Sequence, residues 1–392
     1  MIFTRKPLKF MDITKENRFI LLTWMIITLI LSIQGLSTFR YNNYLIFENT
    51  FRNLIDQHNL YDLYPVFHED SNHYGPIFSV FIAPFAAFPN QFALFLWNIF
   101  NCLILFKAIQ TLPITLKEKV AIGWIAMPCL IVSMLSEQFN PTAGAFIIFS
   151  YTQLNRHKGL WSACLIILGT FIKLYGIMGL AFFFFVKDKP RFVLYLIFWA
   201  VILFILPMAF SSPSFILQSY QDWYQSLVHK NLANIADASS DLSIIGFIRA
   251  MLNLPSMSTL WIIIGGAIIF LLAYLNISQF NKKHFQLYIL ASALLFPVLF
   301  SSGAEDCTYV ISIVGVGIWY IFDQSKLAKN IFLAMLLLFA VNIPLAIFPK
   351  FGHSHPVFMT MLSVPYFVVW LMVIYKATFC KINDETLPEG AG

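Results

Sequence analysis

Twelve apolar runs, at 19–36, 91–107, 119–136, 141–155, 159–172, 174–186, 192–209, 259–276, 285–300, 308–323, 329–348 and 357–377, constrain this chain more than any other feature. They leave charge little room: Lys, Arg, Asp and Glu make up 11% of 392 residues, against about 25% in soluble domains. Hydrophobic residues reach 59% and aromatics 17%. A water-soluble fold of this size cannot bury that much apolar surface, because more than half of any folded surface still faces water. A cytosolic enzyme, a disordered chain and a nucleic-acid binder are thereby excluded. The runs predict an all-α polytopic membrane protein, a single integral domain over 1–392 with twelve transmembrane helices. Several runs are shorter than the ~20 residues that cross a bilayer comfortably. Short, Pro- or Gly-interrupted helices lining a cavity account for that. Segment 76–88, with Pro84 inside and Pro89 after it, reads as a re-entrant or half-spanning helix.

The scarce charge is sorted by side. With the N-terminal segment 1–18 and the tail 378–392 in the cytoplasm, 19 of the 25 Lys and Arg fall in short inner loops. That asymmetry follows the positive-inside rule. Eleven of the 19 acids and six of the eight histidines fall outside, where two stretches, 37–75 and 210–258, read as long extracytoplasmic loops. The polar, basic first 18 residues and the lack of a small-residue cleavage site make the first span a retained anchor. The five cysteines stand far apart, without paired or CxxC spacing, so they support neither a disulfide framework nor a metal site. The expected location is the plasma (inner) membrane, with any chemistry on the outer face.

Residues 42–56 place Tyr44, Phe47, Phe51, Leu54 and Ile55 on one helical face and Glu48, Asn49, Arg52, Asn53 and Asp56 on the other. This predicts an amphipathic interfacial helix with its apolar face in lipid. Glu48 there is either a functional carboxylate or half of an i,i+4 ion pair with Arg52, and Asn43 suits a helix N-cap. The stretch His68-Glu69-Asp70-Ser71-Asn72-His73-Tyr74 crowds acids and imidazoles just before the chain re-enters the membrane. A carboxylate in it could act as a general base. A His/Asp pair could bind a divalent cation, although the spacing matches no strong metal motif. Glu137-Gln138-Phe139-Asn140 joins two spans at the outer edge. Lys173 lies between two apolar half-helices, where an ammonium either needs an anion or snorkels to the interface. Glu305 stands at a break between spans, as a cavity carboxylate or a cap. In the second outer stretch, Asp237, Asp241 and Arg249 could reach a headgroup, and Arg249 has the fork that suits phosphate. The aromatics of Ser219-Tyr220-Gln221-Asp222-Trp223-Tyr224 suit sugar faces, and equally the ordinary interfacial belt.

Several of these stretches, in order, resemble glycosyltransferase family 87, membrane enzymes of the GT-C class. They are Asn59-Leu60-Tyr61; Tyr74-Gly75-Pro76 with Ala83-Pro84 and Phe88-Pro89; and Trp97-Asn98 with Asn101. Gln138 with Asn140, Ile172-Lys173, Ser243 with Gly246, and Phe296-Pro297 leading to Glu305 continue the series. The resemblance implies a GT-C-like bundle and inverting transfer of a hexose, mannose being one candidate. The donor would be a polyprenyl-phosphate-linked sugar and the acceptor an extracytoplasmic glycan or glycolipid. It also implies a general-base Asp about 18 residues before the Asn-Leu-Tyr stretch, and counting back lands on Asn43. An amide takes no proton, so another carboxylate must serve: Asp70, Glu48 or Glu305. Lys173 and Arg249 would hold the donor phosphate, with Asn43, Gln138, Asn140 and Tyr74 as further binding residues. No cofactor is required. The rival readings are a lipid-linked sugar transporter or flippase, for which no internal repeat is evident, and a non-catalytic relative that scaffolds glycan assembly.

Overall fold

The computed structural model describes residues 13–236, 241–254, 257–323, 325–347 and 356–381; Arg5, Lys6, Lys9, Asp237, Lys350 and the tail beyond 381 lie outside them. Each of the twelve apolar runs is helical over most of its described length. In chain order the helices are α1 (Ile13–Thr38), α2 (Asn42–Asp56), α3 (Ile77–Ala86), α4 (Asn90–Thr111), α5 (Leu116–Leu135) and α6 (Asn140–Leu154). Then come α7 (Gly159–Ile172), a 3-10 helix (Leu174–Phe185), α8 (Lys189–Ile205), α9 (Pro213–Ala236), α10 (Ile244–Leu252) and α11 (Thr259–Leu272). The last are α12 (Lys283–Leu299), α13 (Tyr309–Phe322), α14 (Lys326–Ile347), α15 (Pro356–Thr360) and α16 (Ser363–Phe379).

Among the described residues, five helical segments are long and apolar enough to cross a bilayer: Ile13–Thr38, Asn90–Thr111, Leu116–Leu135, Lys189–Ala209 and Pro356–Phe379. Six shorter apolar segments accompany them. At 10 residues, α3 rises only about 15 Å, half of a hydrocarbon core. The exterior is lipid-like in character. Along α8, Leu194 is 64% exposed, and Ile197, Val201 and Ile205 stand open beside it, a continuous apolar face that water would not tolerate. α12 and α13 are buried nearly all round, as central helices of a bundle must be when no face is polar. α12 packs on α13, α16 and the 3-10 helix, while α1 packs on α4 and α5 and α6 packs on α4 and α7.

Two expectations are revised. Helix α2 forms over the expected residues, but its apolar face meets protein instead of lipid. Tyr44, Phe47 and Leu54 are buried, with the Phe47 ring 5.1 Å from Phe78 and 5.7 Å from Trp97. Neighbouring rings from α3 and α4 give that face a close-packed partner, which outcompetes lipid. Its other side is also covered: Glu48, Asn49 and Asn53 are buried. The stretch 210–258, read from sequence as a long loop between spans, holds α9, a helix of 24 residues, and the shorter α10.

The break at Lys173 has a local cause. α7 ends at Ile172, Lys173 adopts an extended conformation, and the chain folds back as the 3-10 helix packed along α7. A Cβ on Gly176 would fall 2.3 Å from the Gly169 backbone, so the hairpin closes only because both positions are glycine. At about 21 Å for α7 and 24 Å for the 3-10 helix, each arm stops short of a full span. The apex bearing Lys173 therefore ends inside the bundle.

The loop before α3 is clamped to that apex. The Gly75 amide donates to the Ile172 carbonyl at 3.0 Å, and a Cβ on Gly75 would sit 1.9 Å from the Phe171 carbonyl oxygen. Backbone, unlike a flexible side chain, cannot yield. Gly75→Ala is therefore expected to lower stability by at least about 2 kcal/mol, read as a depressed thermal midpoint in detergent; an unchanged midpoint would contradict the clamp.

Candidate functional site

The Lys173 apex, the loop 70–75, the α5–α6 turn, one face of α9 and the segment 301–308 enclose a half-open cavity of about 460 Å³. It lies at the end of the bundle where α5, α7 and α12 finish and α6 and α13 begin. The opposite end carries the α4–α5 and α6–α7 turns with Lys117, Lys119, Arg156 and Lys158, and there the Thr111 and Thr152 hydroxyls meet at 3.2 Å.

Lys173 dominates the cavity. Its Nζ donates to Asn140 Oδ1 at 2.7 Å and lies 4.9 Å and 5.5 Å from the ring centroids of Tyr175 and Tyr74. Asn140, at the start of α6, is held in turn by donating its Nδ2 to the Cys307 carbonyl at 3.2 Å. Among the described residues no carboxylate lies within ion-pair distance of the Lys173 ammonium. An amide oxygen and two π faces orient the charge without neutralising it, leaving the ammonium in the cavity with no counterion among the described residues. The Tyr74 hydroxyl donates to Gln138 Oε1 at 3.0 Å, and the Tyr175 hydroxyl lies 3.2 Å from that of Ser301.

Two carboxylates border the same space. Asp70 is exposed, with one oxygen accepting the Ser71 amide at 2.8 Å. Glu305 is exposed and caps the short 3-10 turn Asp306–Thr308, accepting from backbone at its third position and from the Cys307 thiol at 3.5 Å. Asn43 also lines the wall, where its Nδ2 donates to the Ser136 carbonyl at 2.8 Å. An ionised Asp in that place would turn an acceptor toward a carbonyl oxygen.

Of the residues singled out in the sequence, Asn43, Asp70, Tyr74, Gln138, Lys173 and Glu305 all line this cavity, and Asn140 touches it through Lys173. Glu48 and Arg249 do not line it. Glu48 is 4% exposed and paired with Arg52 one turn on, the ion-pair alternative of the sequence reading. Arg249 is buried, donating to the Met257 carbonyl at 2.8 Å and lying 3.6 Å from Asp241. It staples the segment after α10 to the one before it.

Of the α9 wall the sequence reading singled out only Trp223. Leu227, Lys230, Asn231 and Asn234 line the cavity with it, and the recurrence 223, 227, 230/231, 234 is the helical signal that could have found them. Trp223 Nε1 donates to the His73 carbonyl at 3.0 Å, and Asn234 Nδ2 donates to the Ser302 carbonyl at 2.7 Å. α9 thus bridges the two loops. The Asn59-Leu60-Tyr61 stretch is structural: Asn59 Oδ1 accepts the Tyr61 amide at 2.8 Å, and the Tyr61 hydroxyl donates to the Tyr74 carbonyl at 3.1 Å. Trp97 Nε1 donates to the Glu137 carbonyl at 2.7 Å and so fixes the turn that carries Gln138.

A second, more open groove of about 810 Å³ adjoins the cavity. Asp70, Ser71, His73 and Lys230 belong to both walls. His73 Nδ1 lies 2.7 Å from the Ser226 hydroxyl. Burial foremost, then the positive charge of Lys230, pushes its pKa down to about 4, against the pull of Asp70. No group of His, Cys, Asp and Glu among the described residues is arranged to hold a metal ion.

The profile of glycosyltransferase family 87 matches residues 72–302, more than half of the chain. The matched span includes Tyr74, Gln138, Asn140, Lys173 and α9, and stops just short of Glu305. No curated protein matches the chain.

The His73 shift has a consequence for pH. The unfolded chain takes up a proton near pH 6.5 and the folded one only near 4. Stability therefore falls as pH drops through that window, by at most about 3 kcal/mol. His73→Gln should flatten this slope in detergent melting curves between pH 7 and 4. Parallel losses in the two proteins would remove His73 as the cause.

Proposed function

From the premise that this chain belongs to glycosyltransferase family 87, we propose that it is a membrane glycosyltransferase moving a hexose from a polyprenyl-phosphate donor to an extracytoplasmic glycan or glycolipid. The observation that carries this reading is the uncompensated Lys173 ammonium in a cavity that also holds a carboxylate open to an adjoining groove. The donor's phosphate binds at Lys173, where Tyr175 and Asn140 hold the amine in place. The polyprenyl chain runs out along the apolar helix faces into lipid.

The acceptor hydroxyl oxygen attacks the anomeric carbon from the face opposite the phosphate. The bond from that carbon to the phosphate oxygen breaks, and the phosphate leaves with the electron pair, so the configuration inverts. Its growing negative charge meets Lys173, a preorganised cation that costs no reorganisation at that moment. The hydroxyl's proton passes to a carboxylate. Asp70 is the favoured base because it borders both cavity and groove, where a hydroxyl from one side can meet an anomeric carbon from the other. Glu305, with its oxygens engaged as a cap, is the second candidate. Glu48, already paired with Arg52, is the least available of the three. Basic turns at the far end of the bundle favour an orientation with that end in the cytoplasm and the cavity outside.

Transfer of labelled hexose from polyprenyl phosphate in membranes tests the assignment. Asp70→Asn is expected to lower kcat on the order of 10²–10⁴-fold, and Lys173→Met to reduce kcat/KM comparably, while Glu48→Gln stays near wild type. Undiminished transfer in an Asp70→Asn, Glu48→Gln, Glu305→Gln triple variant would overturn the reading.

A further inference from the structure

The groove beside the donor cavity has a chemistry of its own. Its walls come from the loop 59–73 and from α9, and they carry three carboxylates, Asp62, Asp70 and Asp222, against a single ammonium, Lys230, among the described lining residues. Asp222 accepts from Gln218 Nε2 at 2.9 Å and from Asn59 Nδ2 at 3.4 Å, so it keeps its place in the wall. His73, its pKa held near 4, adds no positive charge at neutral pH. A phosphate- or carboxylate-bearing ligand would meet net repulsion here. Hydroxyl groups would not, because ionised carboxylates are their strongest acceptors.

The aromatic content points the same way. Tyr224 lines the groove yet is 70% exposed, and no hydrogen bond or ring contact within the described residues holds it. A large exposed ring on the groove wall offers a flat apolar face, the surface on which the C–H face of a pyranose packs while its hydroxyls reach the polar side chains of the same wall. Gln225, the next residue, supplies both a donor and an acceptor to that wall.

We infer that this groove binds the non-reducing end of an uncharged oligosaccharide, which stacks a sugar on Tyr224 and presents a hydroxyl to Asp70. This rests on the transferase reading for its purpose but not for its test, since binding is measured without donor. The full-length protein in detergent would be titrated with maltotriose, mannotriose and chitotriose, and with trigalacturonic acid as the anionic counterpart. Saturation-transfer NMR and intrinsic fluorescence would report binding.

At least one neutral trisaccharide is expected to bind, with trigalacturonic acid at least tenfold weaker. Tyr224→Ala should weaken the neutral ligand at least tenfold and Tyr224→Phe should restore it. Tyr224 is exposed, so its truncation removes little packing, and an unchanged melting curve checks that the variant folds. Binding of none of the neutral ligands, equal or tighter binding of the acidic one, or an affinity indifferent to Tyr224→Ala would each overturn the inference. Binding without any sugar transfer would leave it standing and count against the transferase reading instead. Comparing transfer to the same glycan free and lipid-linked then separates a soluble from a membrane-borne acceptor.

Discussion

The closure of Gly75 on the Phe171–Ile172 backbone is the contact on which the rest of the site depends. It joins the loop that carries Asp70 and His73 to the apex that carries Lys173, through a hydrogen bond of 3.0 Å. It leaves no space for a side chain between them. The apex itself exists because the 3-10 helix can lie against α7 at Gly169 and Gly176. Two glycine-dependent contacts therefore put a lysine inside an apolar bundle and bring an acidic loop beside it.

A cation in that location is costly, and its surroundings show how the cost is limited. The cavity is open on one side, Asn140 Oδ1 accepts a hydrogen bond from the ammonium, and two tyrosine rings present their negative faces. A carboxylate partner would have lowered the cost further, but it would also have cancelled the charge. The ion pairs elsewhere do cancel theirs: buried Glu48 with the exposed Arg52, and Asp241 with Arg249, both buried. The contrast separates ionisable groups that are paired within the fold from Lys173, which has no carboxylate within ion-pair distance among the described residues.

Much of this was legible in the sequence. The apolar runs gave the helices, and the rarity of charge drew attention to Lys173, Asp70 and Glu305, which border one cavity. The ion-pair reading of Glu48 was legible too, since Arg52 follows one helical turn later. What the sequence concealed was tertiary. Helix α2 has a clean amphipathic pattern that fits a lipid interface as well as a protein groove, and only the rings of Phe78 and Trp97 decide between them. In α9 the polar residues Ser226, Lys230, Asn231 and Asn234 dilute the apolar signal until the stretch resembles a wet loop. The helix is stabilised by the two loops it bridges, so local pattern alone could not reveal it.

Asn43 shows how these levels interact. In the resemblance it occupies the position of an acid, and as an isolated residue it would count against catalysis. In the structure its amide is a donor, fixing α2 to the turn after α5 through the Ser136 carbonyl, the same turn that Trp97 anchors through Glu137 and that delivers Gln138 to Tyr74. The amide thus belongs to the framework that shapes the cavity wall, a task an ionised carboxylate could not perform because it has no proton to donate. Under the proposed transfer, with that wall fixed by a donor, the base comes from a group on another wall. Asp70 has the attributes required: it is exposed, it is carried by the loop that Gly75 clamps, and it is common to the cavity and the groove.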